Sequence, residues 1–128
     1  MRRTLAAAGD SAPDEVWQRY VHLDSWAQWA PFIADVETPS RELQPGLTGR
    51  VISVGGLAVS FQIIAVDPLS RTWRWRAQIG PVDLVLDHEV IARPSGGSVA
   101  VLVVSGRAPA VLSYSPAARL ALSALVRP

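Results

Sequence analysis

Between residues 57 and 105 the chain leaves itself little choice of topology. Four runs rich in Val, Ile, Leu and Trp, at 57–66, 72–79, 82–92 and 98–105, are separated only by Asp67-Pro68, Gly80-Pro81 and Pro94-Ser95-Gly96-Gly97. Joining parallel neighbours takes a crossover of a dozen or more residues. These links are far shorter, so the spacing predicts an antiparallel meander, extended upstream by strands at 32–38 and 48–54. Only the polar loop at 39–47 approaches the crossover limit.

The binary pattern assigns the faces. In 57–66, Leu57, Val59, Phe61, Ile63 and Ala65 share one side. In 72–79, Trp73, Trp75, Ala77 and Ile79 oppose Thr72, Arg74, Arg76 and Gln78. In 82–92, Leu84, Leu86, His88 and Val90 oppose Asp83, Asp87 and Glu89. A two-residue turn at Gly80-Pro81 pairs Ile79 with Val82, which sets Arg74 opposite Asp87 and Trp73 opposite His88. Two-residue turns at Gly55-Gly56 and Ser95-Gly96 place Arg50 opposite Phe61 and His88 beside Val103. An inward Arg50 needs an acidic partner or an anionic ligand. A bulge that flips the register, or a rim position, explains it better. On the same registers Leu102 and Val104 fall on the outer face.

Upstream, 2–9 reads as an Ala-rich opening strand. Ser11 is placed to cap a helix, with Pro13 in its first turn and Asp14 completing a capping box. Val16, Trp17, Tyr20 and Val21 recur at helical spacing as far as Leu23. Asp24 caps a second short helix at 25–29, stopped by Pro31. At the far end, 109–126 carries Val111, Tyr114, Ala118, Ala121, Leu122 and Leu125 on one helical face. Pro116 either kinks that helix or, with Ser115 as cap, restarts it. At roughly 26 Å it is long enough to lie across strands of roughly 33 Å. No repeat or linker appears, so residues 1–128 read as a single domain.

Composition enters mainly to exclude. A net charge of +1 gives no basic field for nucleic acid. With no Cys, disulfides and thiolate metal sites are ruled out. The apolar run at 5–8 is shorter than the roughly 7–15 residues of an export signal. No stretch reaches the roughly 20 apolar residues of a membrane span, so a cytoplasmic protein is expected. His22 and His88 lie in different elements without ligand spacing, so no metal is expected. No Gly-rich phosphate loop, nucleophile elbow or inward pair of carboxylates is present, and no cofactor is implied.

The order strand, two helices, six strands, helix carries a set of marks. They are Ala12-Pro13-Asp14-Glu15-Val16-Trp17, Asp24, Trp26, Trp29, Pro31, Gly46, Gly49, Val66-Asp67-Pro68, Arg71, Trp73, His88, Gly96-Gly97-Ser98-Val99 and Gly106. Together they resemble the START-like, or SRPBCC, superfamily, nearest its polyketide cyclase/dehydrase and lipid-transport (Bet v 1-like) families. The resemblance implies an α+β helix-grip fold. A curved seven-stranded antiparallel sheet wraps the C-terminal helix, with two short helices between strands 1 and 2. It also implies a cavity between sheet and helix for a hydrophobic small molecule. The abrupt end at Leu125-Val126-Arg127-Pro128 and the Ala-rich first strand depart from that pattern and imply a smaller lid.

The ligand-contacting candidates are Trp29, Phe32, Phe61, Trp73, Trp75, Leu86, His88, Val103 and Tyr114. His88 and Tyr114 are also the candidate catalytic groups, since imidazole titrates near neutrality and a phenol can donate into a cavity. Each has a plainer reading. His88 is more simply a core histidine tied to a carbonyl or water, and Trp73 and Trp75 are core filling. Trp29 and Phe32 flank a corner enforced by Pro31, and Tyr114 keeps its tip in water. Trp26 is read at the surface, as a pocket lip or an ordinary exposed aromatic.

Three functions compete. The first is binding of a hydrophobic or aromatic small molecule. The second is a polyketide cyclase or dehydratase acting on a poly-carbonyl or aromatic substrate. The third is a homodimeric interaction module, suggested by Leu102 and Val104 on the outer face.

Overall fold

The computed structural model describes residues 1–128. Strand β1 (Arg2–Gly9) leads into α1 (Pro13–Val21), a 3-10 turn at Leu23–Ser25 and α2 (Trp26–Trp29). Then come β2 (Ile33–Glu37), β3 (Thr48–Ser53), β4 (Ala58–Asp67), β5 (Thr72–Ile79), β6 (Val82–Ala92) and β7 (Ser98–Ser105), followed by α3 (Ala108–Leu125). All seven strands form one antiparallel sheet in the order β1-β7-β6-β5-β4-β3-β2. The meander from β2 to β7 is the one that the short links demand. The helical crossover carries the chain from one edge to the other, so β1 pairs with β7 rather than β2.

The turn at Gly80-Pro81 holds two residues, with Gly80 at φ 53° as the first position of a type II′ turn requires. It pairs Ile79 with Val82, Arg74 with Asp87 and Trp73 with His88, as expected. The two hairpins at glycine pairs are one residue wider. Ser53 bonds across to Leu57, and Arg93 to Gly97, so each loop holds three residues. Gly56 (φ 84°) and Gly96 (φ 98°) take the left-handed position that ends such loops.

One extra residue exchanges the two faces of a strand. Arg50 therefore stands opposite Ser60, points outward and pairs with Glu37. Gly49 takes the inward place beside Phe61, where an added Cβ would lie 2.9 Å from the ring. His88 pairs with Leu102, not Val103. Leu102 and Val104 are buried inside, and Val103 faces outward opposite Asp87. The outer apolar pair that suggested a dimer is thus part of the core. A bulge between Ile63 and Ala65 in β4 shifts the register again. It turns Val66 toward Trp73 and leaves Ala65 exposed beside Arg74, against the simple alternation.

The helix starts also differ from expectation. Ala12, not Ser11, is the N-cap of α1, and no side chain caps it. Ser11 is buried: its N–H donates to the Val126 carbonyl (3.1 Å) and its hydroxyl accepts from Arg19 (2.9 Å). Asp14 pairs with Arg71 at 2.6 Å, and Asp24 with Arg41, so neither caps a helix. The loop before β3 is not wholly polar, since Leu43 and Leu47 enter the core. Helix α3 runs unbroken through Pro116, which sits on its exposed face. Ser115 donates its hydroxyl to the Val111 carbonyl at 2.6 Å rather than capping a restart.

Candidate functional site

The concave face of the sheet and α3 do not meet everywhere. A cavity of about 600 Å³ separates them, and the residues on the helix side explain why. Ala110, Ala117, Ala118 and Ala121 of α3 all border it, so the helix presents methyl groups where Leu or Phe would fill the space. The opposite wall comes from Val51 and Val59, from Trp73 and Trp75, from Leu84, Leu86 and His88, and from Leu102. Helix α2 closes one side with Trp26 and Trp29. No charged side chain borders the space. The polar residues that border it are Ser53, His88, Ser113 and Tyr114, beside the four tryptophans.

The two ends differ in exposure. Trp26, Trp73, Leu86, His88 and Leu102 are buried at the closed end. Leu57, Ile79, Val82, Pro109 and Ser113 border the same cavity yet retain surface in solvent. The mouth therefore lies between the β3–β4 loop, the β5–β6 turn and the first turn of α3.

At the closed end, aromatic rings pack on one another. Trp73 stacks on His88 at 4.3 Å with 8° between planes, and on Trp75 at 5.5 Å with 27°. Trp26 fills the space beside both indoles, at 5.6 Å from Trp73 and 5.5 Å from Trp75. Trp26 is only 1% exposed, which overturns its reading as a surface lip. Its Nε1–H donates to the Tyr20 carbonyl at 2.9 Å.

His88 has both ring nitrogens engaged. The Trp75 Nε1–H donates to His88 Nε2 at 3.0 Å, so Nε2 acts as the acceptor. The neutral ring then carries its proton on Nδ1, which donates to the Tyr20 hydroxyl at 3.1 Å. Burial with no acidic neighbour lowers the His88 pKa from 6.5 to about 3. Burial likewise pushes the phenols of Tyr20 and Tyr114 above their usual range, so both stay protonated.

Of the sequence candidates, Trp29, Phe32, Trp73, Trp75, Leu86, His88 and Tyr114 border the cavity. Tyr114 is half-buried near the mouth, its ring edge-on to Phe32 at 6.0 Å. Phe61 lies behind the wall, packed on Trp26 (6.2 Å) and Trp75 (5.8 Å). Val103 is on the other face of the sheet, displaced by the wider β6–β7 loop. Sequence reasoning missed Tyr20 as the partner of His88. Its place on the buried face of α1, one turn after Val16 and Trp17, was the available signal.

A curved sheet closed on its last helix around an apolar cavity defines a helix-grip protein of the Bet v 1-like class. Residues 9–127 match the family described as polyketide cyclase / dehydrase and lipid transport, and the chain belongs to that family. No curated protein matches it by sequence. Similar solved structures share the fold at low identity. The protein XoxI from Bacillus cereus superposes with a TM-score of 0.82 at 14% identity, over 98% of this chain and 92% of its own. The di-domain ARO/CYC BexL from the BE-7585A biosynthetic pathway gives 0.81 at 16%, over 98% of this chain and 45% of its own. Ara h 8.0201 gives 0.76 at 15%, over 98% and 94%.

Proposed function

We propose that the protein, with residues 1–128 acting as one domain, binds a largely apolar small molecule in this cavity. Trp29, Phe32, Trp73, Trp75, Leu86, His88 and Tyr114 are its contacts. The observation that carries the reading is a space of about 600 Å³ with no charged side chain on its wall. Empty apolar space of this size forfeits contacts that a guest restores. Family membership agrees with it.

Binding is favoured over catalysis by the state of His88. Both nitrogens are occupied by protein partners, and the ring is neutral across physiological pH. It is a rigid part of the wall rather than a free acid or base. A cyclase or dehydratase on a poly-carbonyl substrate needs a proton donor or acceptor free at the reacting atom. Among the two named candidates only Tyr114 could serve, and only as a donor.

The test is to fill the cavity without touching a polar group. Ala118→Leu should leave the chain folded and abolish the thermal stabilisation that hydrophobic aromatic ligands give the parent. Equal stabilisation of parent and variant would put the ligand elsewhere. Product formation from a poly-carbonyl substrate that is lost in Tyr114→Phe would favour the enzyme instead.

A further inference from the structure

The net charge is only +1, but its sign is unevenly spread. Arg41, Arg50, Arg71, Arg74, Arg76 and Arg93 are paired with carboxylates. Arg19 is bonded to the Leu125 and Arg127 carbonyls at 2.6 and 3.0 Å. The arginines left without an acidic partner are Arg2, Arg3, Arg107, Arg119 and Arg127. Neither β1 nor α3 contains a carboxylate, and none occurs after Glu89.

These arginines share one side of the molecule. The Gly106 N–H donates to the Met1 carbonyl at 3.0 Å, which sets Arg2 and Arg3 near Arg107, the N-cap of α3. At the far end the Ser11 N–H donates to the Val126 carbonyl at 3.1 Å, next to Arg127. Helix α3 thus runs alongside β1, with cations at both ends and Arg119 exposed between them.

The face that α3 turns to solvent is apolar where a surface helix is normally polar. Leu112 (48% exposed), Pro116 and Leu120 (63%) recur every four residues along it, and Arg119 is its only charge. Exposed Val54 extends the patch. Its N–H donates to the Phe32 carbonyl at 2.9 Å, and the Phe32 ring packs on Tyr114 of α3. Packed against the same face of a second copy, the arginines would meet arginines with no acid to pair them. Leucines set among cations suit a surface that is anionic outside and apolar beneath.

We propose that the outer face of α3 docks on an anionic lipid bilayer, with Leu112 and Leu120 as apolar anchors and the arginines on lipid phosphates. The helix lies in the headgroup plane, since no helix of the protein is long and apolar enough to cross a membrane. Docking involves no guest, so it stands apart from the cavity reading.

The full chain is mixed with vesicles of phosphatidylcholine, alone or with an equal part of phosphatidylglycerol, and bound protein is read by flotation. It should float with the anionic vesicles, not with the neutral ones, and added salt should release it. Arg119→Glu should weaken binding roughly thirtyfold, each unit of charge near the surface being worth about fivefold. Because the chain has no Cys, Leu120→Cys takes a single nitrobenzoxadiazole label, whose emission should move to shorter wavelength on anionic vesicles. The same label on Leu69→Cys, in the exposed β4–β5 turn, should not move. Equal binding to both vesicles, or a shift at position 69 and none at 120, overturns the assignment. Absence of binding to either vesicle overturns it as well and leaves the face to an acidic protein. The parent's preference between the two vesicles decides even if a variant does not fold.

Discussion

At the closed end of the cavity Trp26, Trp73, Trp75 and His88 are almost wholly buried, whereas at the mouth Leu57, Ile79 and Tyr114 keep surface in solvent. The closed end is locked by ring stacking and by two hydrogen bonds through one imidazole. The mouth is formed largely by two turns and the first turn of a helix, whose side chains touch less of the molecule. Leu57 is 57% exposed, although it borders the cavity. On the proposed function, stability and ligand entry fall to different residues. Substitutions at the two ends should move different observables.

The largest effect belongs to Trp26→Ala. It empties the centre of the aromatic cluster and should cost about 3–5 kcal/mol in urea denaturation. A cost below about 1 kcal/mol would mean that the closed end is not the rigid one.

His88→Leu comes next. It leaves the Trp75 N–H and the Tyr20 hydroxyl unpaired in the interior, at about 1–3 kcal/mol for each group. Its melting temperature should fall well below that of a mouth variant. A change no larger than the mouth's would remove the contrast.

The same imidazole imposes a pH dependence with a definite sign. Its folded pKa is depressed from 6.5 to about 3, so the unfolded chain binds the extra proton between those values. Stability is full above pH 6.5 and declines as the pH falls toward 3. The slope from this group is at most about 1.4 kcal/mol per unit. Denaturation across that window should show the decline in the parent, and a shallower one in His88→Leu. Identical slopes would place the titration on other groups.

The smallest effect on folding is expected from Leu57→Ser. Stability should move by no more than about 0.5 kcal/mol. Affinity for an apolar aromatic ligand should drop roughly fivefold, as lost apolar contact at the rim predicts. A large loss of stability with unchanged affinity would reverse the roles given to the two ends.

The two errors of strand register share one source. Gly55-Gly56 and Ser95-Gly96 read as two-residue turns, the strongest short hairpin signal. Pro94 pointed the other way, since proline favours the first position of a type I turn, which in hairpins is followed by a left-handed residue. Gly96 and Gly56 supply that residue. The slip put Val103 on the inner face, where it is not, and set Arg50 opposite Phe61 rather than Ser60. Where the turn was unambiguous, at Gly80-Pro81, the Trp73–His88 and Arg74–Asp87 pairs followed correctly.

The sequence by itself determined the element order, the antiparallel meander and the aromatic pairing on β5 and β6. Those features depend on local alternation and on links too short for any other path. Tertiary structure alone decided that Tyr20 meets His88 across 68 positions, that Trp26 is interior, and that four alanines of α3 face open space. Such contacts join elements distant in the chain. They are set by the combined curvature of seven strands and the seating of one helix, which no local pattern records.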